Sequence, residues 1–170
     1  LREAEQARDA ARQQLGAERF HILREEGTER PFTSPLNKEK RKGVFTCAAD
    51  GTALFASSTK FESGTGWPSF TQPIAGHVET KRDFKLIWPR TEYHCARCGG
   101  HQGHVFDDGP QPTGLRYCNN GVALRFVPAG EVARDGVWRA VDLIPEGAEV
   151  IICLDVDALD PSVMPAVIGR

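Results

Sequence analysis

The cysteines of this chain lie in settings that predict different chemistry. Cys95 and Cys98 form a Cys-x-x-Cys pair, and Cys47 with Asp50 has the same spacing earlier in the chain. Two such pairs, brought together in space, can present four tetrahedral ligands to zinc. Asp50 weakens this prediction because carboxylate is a harder ligand than thiolate. Two alternatives stay open. In the first, Asp50 caps the turn into Gly51 and the thiols are buried without a metal. In the second, Cys95 and Cys98 are a redox pair, although no βαβ pattern surrounds them.

Cys118 is the candidate for a reactive thiol. It lies between an arginine and an asparagine at the end of a predicted strand, and Arg116, two residues earlier, would point to the same face. A nearby cation lowers the pKa of a cysteine and increases its thiolate fraction. His101 and His104 precede it in residues 99–110, a segment too rich in glycine for a helix. Cysteine near histidine is typical of an activated nucleophile with an acid or base in reach; the alternative is an inert thiol in a core strand.

The glycine-rich segment 63–70 is predicted to be a loop that presents two aromatic side chains, Trp67 and Phe70. An exposed aromatic pair can form an apolar cage for a small soft group such as a methylthio moiety, because sulfur packs well on ring edges. Without further evidence for a binding site, such an aromatic pair is more often part of a hydrophobic core.

The composition limits the classes of protein to which this chain can belong. Its 170 residues are 40% hydrophobic and 26% charged, which is typical of one globular domain with a short appendage. A net charge of −2 predicts no nucleic-acid or membrane partner, and no apolar run approaches the ~20 residues that span a bilayer. Five cysteines, an odd number, do not indicate a secreted disulfide framework. We therefore expect reduced thiols, a cytoplasmic location and a monomer.

The chain divides into three segments by local composition. Residues 1–26 are rich in Ala, Glu, Arg and Gln and predict two helices separated by Gly16. Residues 27–130 consist of short runs bounded by turn residues, which favours a mainly β (α+β) domain with an antiparallel sheet. The predicted strands are 43–47, 52–55, 77–81, 86–88, 92–95, 115–117 and 122–127.

The segment 131–170 is predicted to be an appended tail. It contains a helix-like stretch at 137–143 and an apolar strand at 150–154, followed by Asp155 and Asp157. This strand and its Asp-x-Asp pair resemble the ureohydrolase family, which includes agmatinases and arginases. In that family the aspartates contribute to a two-manganese site, which suits their hard oxygen ligands. The remaining ligands of that family's domain cannot fit in the tail, so we expect a fragment without activity of its own.

Four motifs in order along residues 18–130 closely resemble the peptide methionine-(R)-sulfoxide reductases. They are GTERPF at 27–32, KFESGTGWPSF at 60–70, CARCGGHQGHVF at 95–106 and GLRYCNN at 114–120. The resemblance implies that family's β-tent-like fold of two antiparallel sheets with N-terminal helices. It also implies reduction of the R epimer of methionine sulfoxide, with thioredoxin as the usual reductant and structural zinc.

The resemblance also implies a role for individual side chains. Cys118 would be the nucleophile, and its product a sulfenic acid that another thiol must reduce. Arg116 would favour the thiolate, and Trp67 would hold the methyl group. The implied remaining residues are His101, His104 and Asn120 around the sulfoxide oxygen, Phe106 and Asp108 at the rim, and Cys47, Asp50, Cys95 and Cys98 as zinc ligands.

Two positions depart from the pattern of the family. Thr65 stands where many members carry a resolving cysteine, so thioredoxin or a small thiol would reduce the sulfenic acid directly, or Cys153 would serve instead. Asp50 stands where zinc-binding members carry a cysteine, which puts metal affinity in doubt. The alternative to an enzyme is a non-catalytic zinc-knuckle binding module in which Cys118 is structural.

Overall fold

The computed structural model of the protein describes residues 2–84 and 89–132. The described residues up to Val127 belong to one compact unit. Several sequence predictions lie outside the described residues: the strand at 86–88, the helix at 137–143, the strand at 150–154, the ureohydrolase-like tail and the role of Cys153. Within the described residues, no helix has both the length and the apolar character needed to cross a bilayer.

Two helices begin the chain, as its composition predicts. Helix α1 spans Arg2–Leu15 and helix α2 spans Ala17–Glu25. Gly16 separates them with a φ of +80°, a conformation that favours glycine. Helix α1 buries none of its residues, whereas α2 buries Phe20, Ile22 and Leu23. The second helix therefore anchors this segment to the core.

The described residues then form two sheets. The strands are β1 (Gly43–Cys47), β2 (Ala53–Ala56), β3 (Lys60–Phe61), β4 (Ser69–Phe70), β5 (Val78–Asp83), β6 (Arg90–Cys95), β7 (His101–Phe106), β8 (Arg116–Asn119) and β9 (Leu124–Pro128). One sheet has the order β2-β1-β9, and the other has the order β3-β4-β8-β7-β6-β5 with antiparallel pairing throughout. This is the β-rich fold with N-terminal helices that the resemblance implies.

Aromatic rings fill the core between strands of the two sheets. Phe55 stacks on Phe70 with a ring-centroid distance of 4.1 Å, and Phe45 meets Phe70 edge-on at 5.0 Å. These three side chains and Tyr93 are fully buried. Burial of each such ring contributes about 1.5–3 kcal/mol. The prediction that Phe70 is exposed beside Trp67 is wrong, because Phe70 pairs with Tyr117 in β4–β8 and its ring lies in the core.

Strand β7 lies within the glycine-rich segment 99–110, where no strand is predicted from the sequence. A Cβ atom at Gly103 would lie 1.9 Å from the backbone oxygen of Cys118 in β8. Glycine within a strand can mark such a close backbone approach. The glycine therefore allows β7 and β8 to pair where both carry candidate catalytic residues.

Candidate active site

Strand register brings Cys118 and the two histidines to one face of the larger sheet. His104 in β7 lies directly opposite Cys118 in β8. The pairing of β6 with β7 shifts by one residue, so that β7 carries one extra residue at Gln102. In a regular strand His101 and His104 would face opposite sides, but the bulge reorients one of them. Their rings consequently meet, with centroids 5.6 Å apart.

Each histidine is held by a buried carboxylate from the same sheet: Glu92 lies in the adjacent strand β6, and Asp83 lies in β5, on the far side of β6. His101 Nδ1 lies 2.7 Å from Glu92 Oε1, and His104 Nε2 lies 2.8 Å from Asp83 Oδ2. A carboxylate accepts, so each imidazole donates an N–H to its partner. Lys81 and Arg90 lie near these carboxylates, the Arg90 guanidinium 2.8 Å from Asp83 and the Lys81 ammonium 3.5 Å from Glu92. The network fixes which nitrogen of each ring remains for other partners.

The two histidines differ in their access to solvent. His101 is 2% exposed, and burial lowers its pKa, which favours the neutral ring. Its Nε2 is buried and has no hydrogen-bonding partner among residues 2–84 and 89–132. His104, in contrast, lines a cleft. Its Nε2 is hydrogen-bonded to Asp83, and its Nδ1 is the nitrogen that Asp83 does not contact. His104 is therefore the imidazole that a ligand in the cleft can reach.

The cleft has a volume of about 110 Å³ and lies over β7 and β8. Its walls come from the segment around Thr28, the loop before β4, and the strands of the larger sheet. The lining residues are Thr28, Trp67, Arg90, Gly103, His104, Phe106, Cys118, Asn119 and Asn120. A thiol, an imidazole, an indole and a carboxamide thus converge on one small space.

The electrostatic environment of Cys118 is mixed. Burial raises the pKa of Cys118, whereas the charge of Arg116 and hydrogen bonds from Thr65 and Arg116 lower it. Arg116 also donates from Nε and Nη2 to the two carboxylate oxygens of Asp108, at 2.7 and 2.9 Å, and its guanidinium lies 4.3 Å from the centroid of the Phe106 ring. Arg116 therefore acts on the thiol in the direction expected from the sequence, but burial outweighs it.

The four residues of the predicted metal site meet in the structure. The ligand atoms of Cys47, Asp50, Cys95 and Cys98 all lie within 4.8 Å of one another. The sulfur atoms of Cys47 and Cys98 are 3.7 Å apart, and the Cys95 sulfur is 3.7 and 3.8 Å from the Asp50 oxygens. Tetrahedral zinc with Zn–S bonds of about 2.3 Å has ligand–ligand edges of about 3.8 Å. The donor set therefore fits a tetrahedral metal ion.

Asp50 also contacts the turn that follows it. Its two carboxylate oxygens accept from the backbone N–H and the hydroxyl of Thr52, at 3.0 and 2.9 Å, so it also caps the turn, as the alternative interpretation proposes. Hydrogen bonds with the other sulfurs raise the pKa of Cys47 and lower that of Cys95.

Known proteins with similar sequences identify the family. The SelR domain family matches residues 15–128. The chain is 57% identical over 113 residues to the peptide methionine sulfoxide reductase MsrB of Methanosarcina barkeri, a match that covers 66% of this chain and 80% of that protein. The chain belongs to the peptide methionine-(R)-sulfoxide reductase family. MsrB of Agrobacterium fabrum is 55% identical over 118 residues, covering 69% of this chain and 87% of that protein, and chloroplastic B1 of Arabidopsis thaliana is 53% identical over 116 residues, covering 68% and 57%.

In this member of the reductase family, the cleft contains most of the predicted site residues but not all. Cys118, Trp67, His104, Phe106 and Asn120 line it. Outside the lining are His101, Arg116 and Asp108: the first contacts the His104 ring, and the other two form an ion pair beside Cys118. The roles assigned to these residues stay predictions.

Sequence reasoning missed the carboxylates that hold the histidines. Asp83 and Glu92 lie in strands rich in charged residues, which is typical of a solvated sheet surface, so the sequence does not mark them as buried. Thr28 and Glu29 belong to the GTERPF motif, but their residue types alone predict no role. Sequence reasoning also missed Arg90, which lines the cleft and pairs with Asp83, and Asn119, which lines the cleft.

Proposed function

We propose that Cys118 is the nucleophile with which this chain reduces methionine-(R)-sulfoxide in peptides and proteins. One observation carries the proposal: Cys118 lies in the cleft directly opposite His104, with Trp67 and Asn120 in the same lining. The indole would receive the methyl group of the substrate, and the imidazole and carboxamide would receive the sulfoxide oxygen. Membership of the reductase family favours this enzyme over a non-catalytic zinc-knuckle module.

In the proposed reaction, the sulfoxide oxygen is transferred to the thiol. Because Asp83 accepts from Nε2 of His104, the opposite nitrogen faces the cleft and, in the protonated ring, donates to the sulfoxide oxygen. The Cys118 sulfur attacks the substrate sulfur, the substrate S–O bond breaks, and an S–O bond forms on Cys118. The substrate sulfur gains two electrons and the Cys118 sulfur loses two. The products are methionine and a Cys118 sulfenic acid. The thiol loses its S–H proton and the sulfenic acid carries one O–H proton, so the number of protons is unchanged.

A second thiol must then return Cys118 to its reduced form. A reductant thiol attacks the sulfenic sulfur, releasing water and forming a mixed disulfide, and a further thiol of the reductant releases Cys118. Thr65 supports direct reduction by thioredoxin or a small thiol, because a hydroxyl that lowers the pKa of Cys118 stands at the position where many family members carry a resolving cysteine. We therefore propose recycling without an internal disulfide between these two positions.

We also propose that Cys47, Asp50, Cys95 and Cys98 hold a structural zinc ion. The tetrahedral spacing of the four ligands supports this, and so do N–H groups that donate to two of the sulfurs, Gln102 Nε2 to Cys47 and Gly100 N to Cys98. The metal would tie the turn after β1 to the turn after β6. Zinc analysis of protein purified without chelator should give about one ion per chain; a content below about a tenth of that would reject the site.

Substitution Cys118→Ser tests the catalytic proposal. The variant should retain the far-ultraviolet dichroism of the wild type and lose reduction of a peptide that contains methionine-(R)-sulfoxide. The thermal unfolding midpoint of the variant, compared with that of the wild type, is the control for a general loss of structure. Undiminished activity of Cys118→Ser would reject the nucleophile, and a trapped mass increase of one oxygen on Cys118 after a single turnover would support direct reduction.

A further inference from the structure

Glu29 lies behind the cleft and connects two residues of its lining. Its backbone carbonyl accepts the indole N–H of Trp67 at 3.1 Å, and its backbone N–H donates to Asn120 Oδ1 at 2.9 Å. Trp67 and Asn120 lie 53 residues apart in sequence. A single residue thus contacts both side chains that we propose to bind the two substituents of the sulfoxide sulfur.

The side chain of Glu29 holds this backbone in place. Its carboxylate accepts the backbone N–H groups of Gly121 at 2.6 Å and Val122 at 2.9 Å, at the start of the turn that follows Asn120. The residue is only 6% exposed. Burial raises the pKa of Glu29, and the two N–H groups lower it. The carboxylate and the backbone of Glu29 therefore form three hydrogen bonds with residues 120–122.

Gly121 allows this close approach. A Cβ atom at that position would lie 1.9 Å from Ser34 Oγ and 3.2 Å from Glu29 Oε1. Asn120 is additionally bound on its other side, where its Nδ2 donates to the carbonyl of Gln102 in β7 at 3.0 Å. The carboxamide is thus held between the strand that carries His104 and the residue that holds Trp67.

We propose that Glu29 is a positioning residue that sets the separation of Trp67 and Asn120 for capture of the sulfoxide. The inference rests on the proposed substrate-binding roles of those two residues. Glu29 contacts neither the thiol nor the cleft, so it acts through them. Its loss affects the binding and orientation of the substrate and leaves the reactivity of the Cys118 sulfur unchanged.

Substitution Glu29→Gln is the direct test. The glutamine has one acceptor oxygen, so its NH₂ group faces one of the two backbone N–H groups. One of the two hydrogen bonds from the side chain to residues 121 and 122 is therefore lost. We expect kcat/KM for a methionine-(R)-sulfoxide peptide to fall about tenfold, mainly through KM. Alkylation of Cys118 by iodoacetamide should change less than about twofold, because burial, Arg116 and Thr65 still act on the sulfur. Glu39→Gln, the same chemical change outside the cleft, should alter neither rate.

A double-mutant cycle separates positioning from a general structural effect. If Glu29 acts through Asn120, Glu29→Gln should cost far less in an Asn120→Ala background than in the wild type. Additive effects would overturn the proposal, as would an equal loss of alkylation and of kcat/KM. If Glu29→Gln does not fold, the pair Trp67→Phe and Asn120→Ala replaces it: these changes should be coupled, since both break contacts with Glu29, and additivity would overturn the proposal.

The same experiments distinguish failure of the inference from failure of the proposed function. If Trp67→Phe and Asn120→Ala leave kcat/KM at the wild-type value, the binding roles on which the inference rests are wrong. If those variants lose activity and Glu29→Gln does not, the binding roles stand and only the positioning role of Glu29 is rejected.

Discussion

Replacing Arg116 by methionine measures how much of the reactivity of Cys118 comes from the neighbouring guanidinium. Arg116 is 7% exposed and lies on β8, two residues before the thiol. Methionine is unbranched, apolar and flexible, so it can occupy the space over Phe106 without a buried polar group. Asp108 loses its partner, but its side chain is 60% exposed and water can solvate it. The strand should therefore form in the variant, and the lost charge should dominate the effect.

The expected magnitude follows from the spacing along the strand. Side chains two residues apart on one face are about 6.6 Å apart. At an effective dielectric constant of about 20, a unit positive charge at that distance stabilises a thiolate by about 2.5 kcal/mol. The negative charge of Asp108, bonded to the same guanidinium, opposes part of this attraction. A net contribution of about 1 kcal/mol corresponds to an approximately fivefold change in thiolate population at neutral pH.

The assay is the rate of alkylation of Cys118 by iodoacetamide, followed peptide by peptide with mass spectrometry so that the other thiols are resolved. Removal of a cation disfavours the anion, so the pKa of Cys118 rises and the rate at pH 7 falls about fivefold. The rate profile moves to higher pH. Arg125→Met, the same change at an exposed position of β9, is the control. A folded Arg116→Met variant that alkylates at the wild-type rate would refute the electrostatic reasoning.

Three further predictions concern the metal ligands, the carboxylate behind His104 and the resolving position. Asp50→Cys supplies a fourth thiolate and should strengthen zinc retention about tenfold or more, measured by competition with a chromophoric chelator; weaker retention would contradict the ligand role of Asp50. Asp83→Asn keeps a polar group of similar shape but removes its negative charge, and should lower kcat about 10- to 100-fold with little change in Cys118 alkylation. A wild-type kcat would exclude this role. Thr65→Cys places a thiol within reach of Cys118 and should yield an internal disulfide after one turnover, seen as the loss of two hydrogens in the intact mass. A persistent sulfenic acid would show that the two positions do not meet.

Local features of the sequence were sufficient for the N-terminal helices, for most of the strands and for the family. Composition predicted both N-terminal helices, and turn residues delimited the strands at 43–47, 92–95 and 115–117 to within a few residues. The period of two along a strand placed Arg116 and Cys118 on one face. The four motifs were sufficient to identify the family because each is a contiguous stretch of sequence, whose residue types and spacing do not depend on the fold.

Only the tertiary structure determined which groups surround the Cys118 thiol. The bulge at Gln102 depends on the pairing of β7 with β6, and pairing partners have no local signal. Asp83 and Glu92 reach the histidines because three strands lie side by side, and Phe70 turns to the core because β4 pairs with β8. Backbone hydrogen bonds between distant segments also determine the contacts of Glu29. Register and long-range backbone contacts, which a linear pattern does not contain, therefore assemble the cleft.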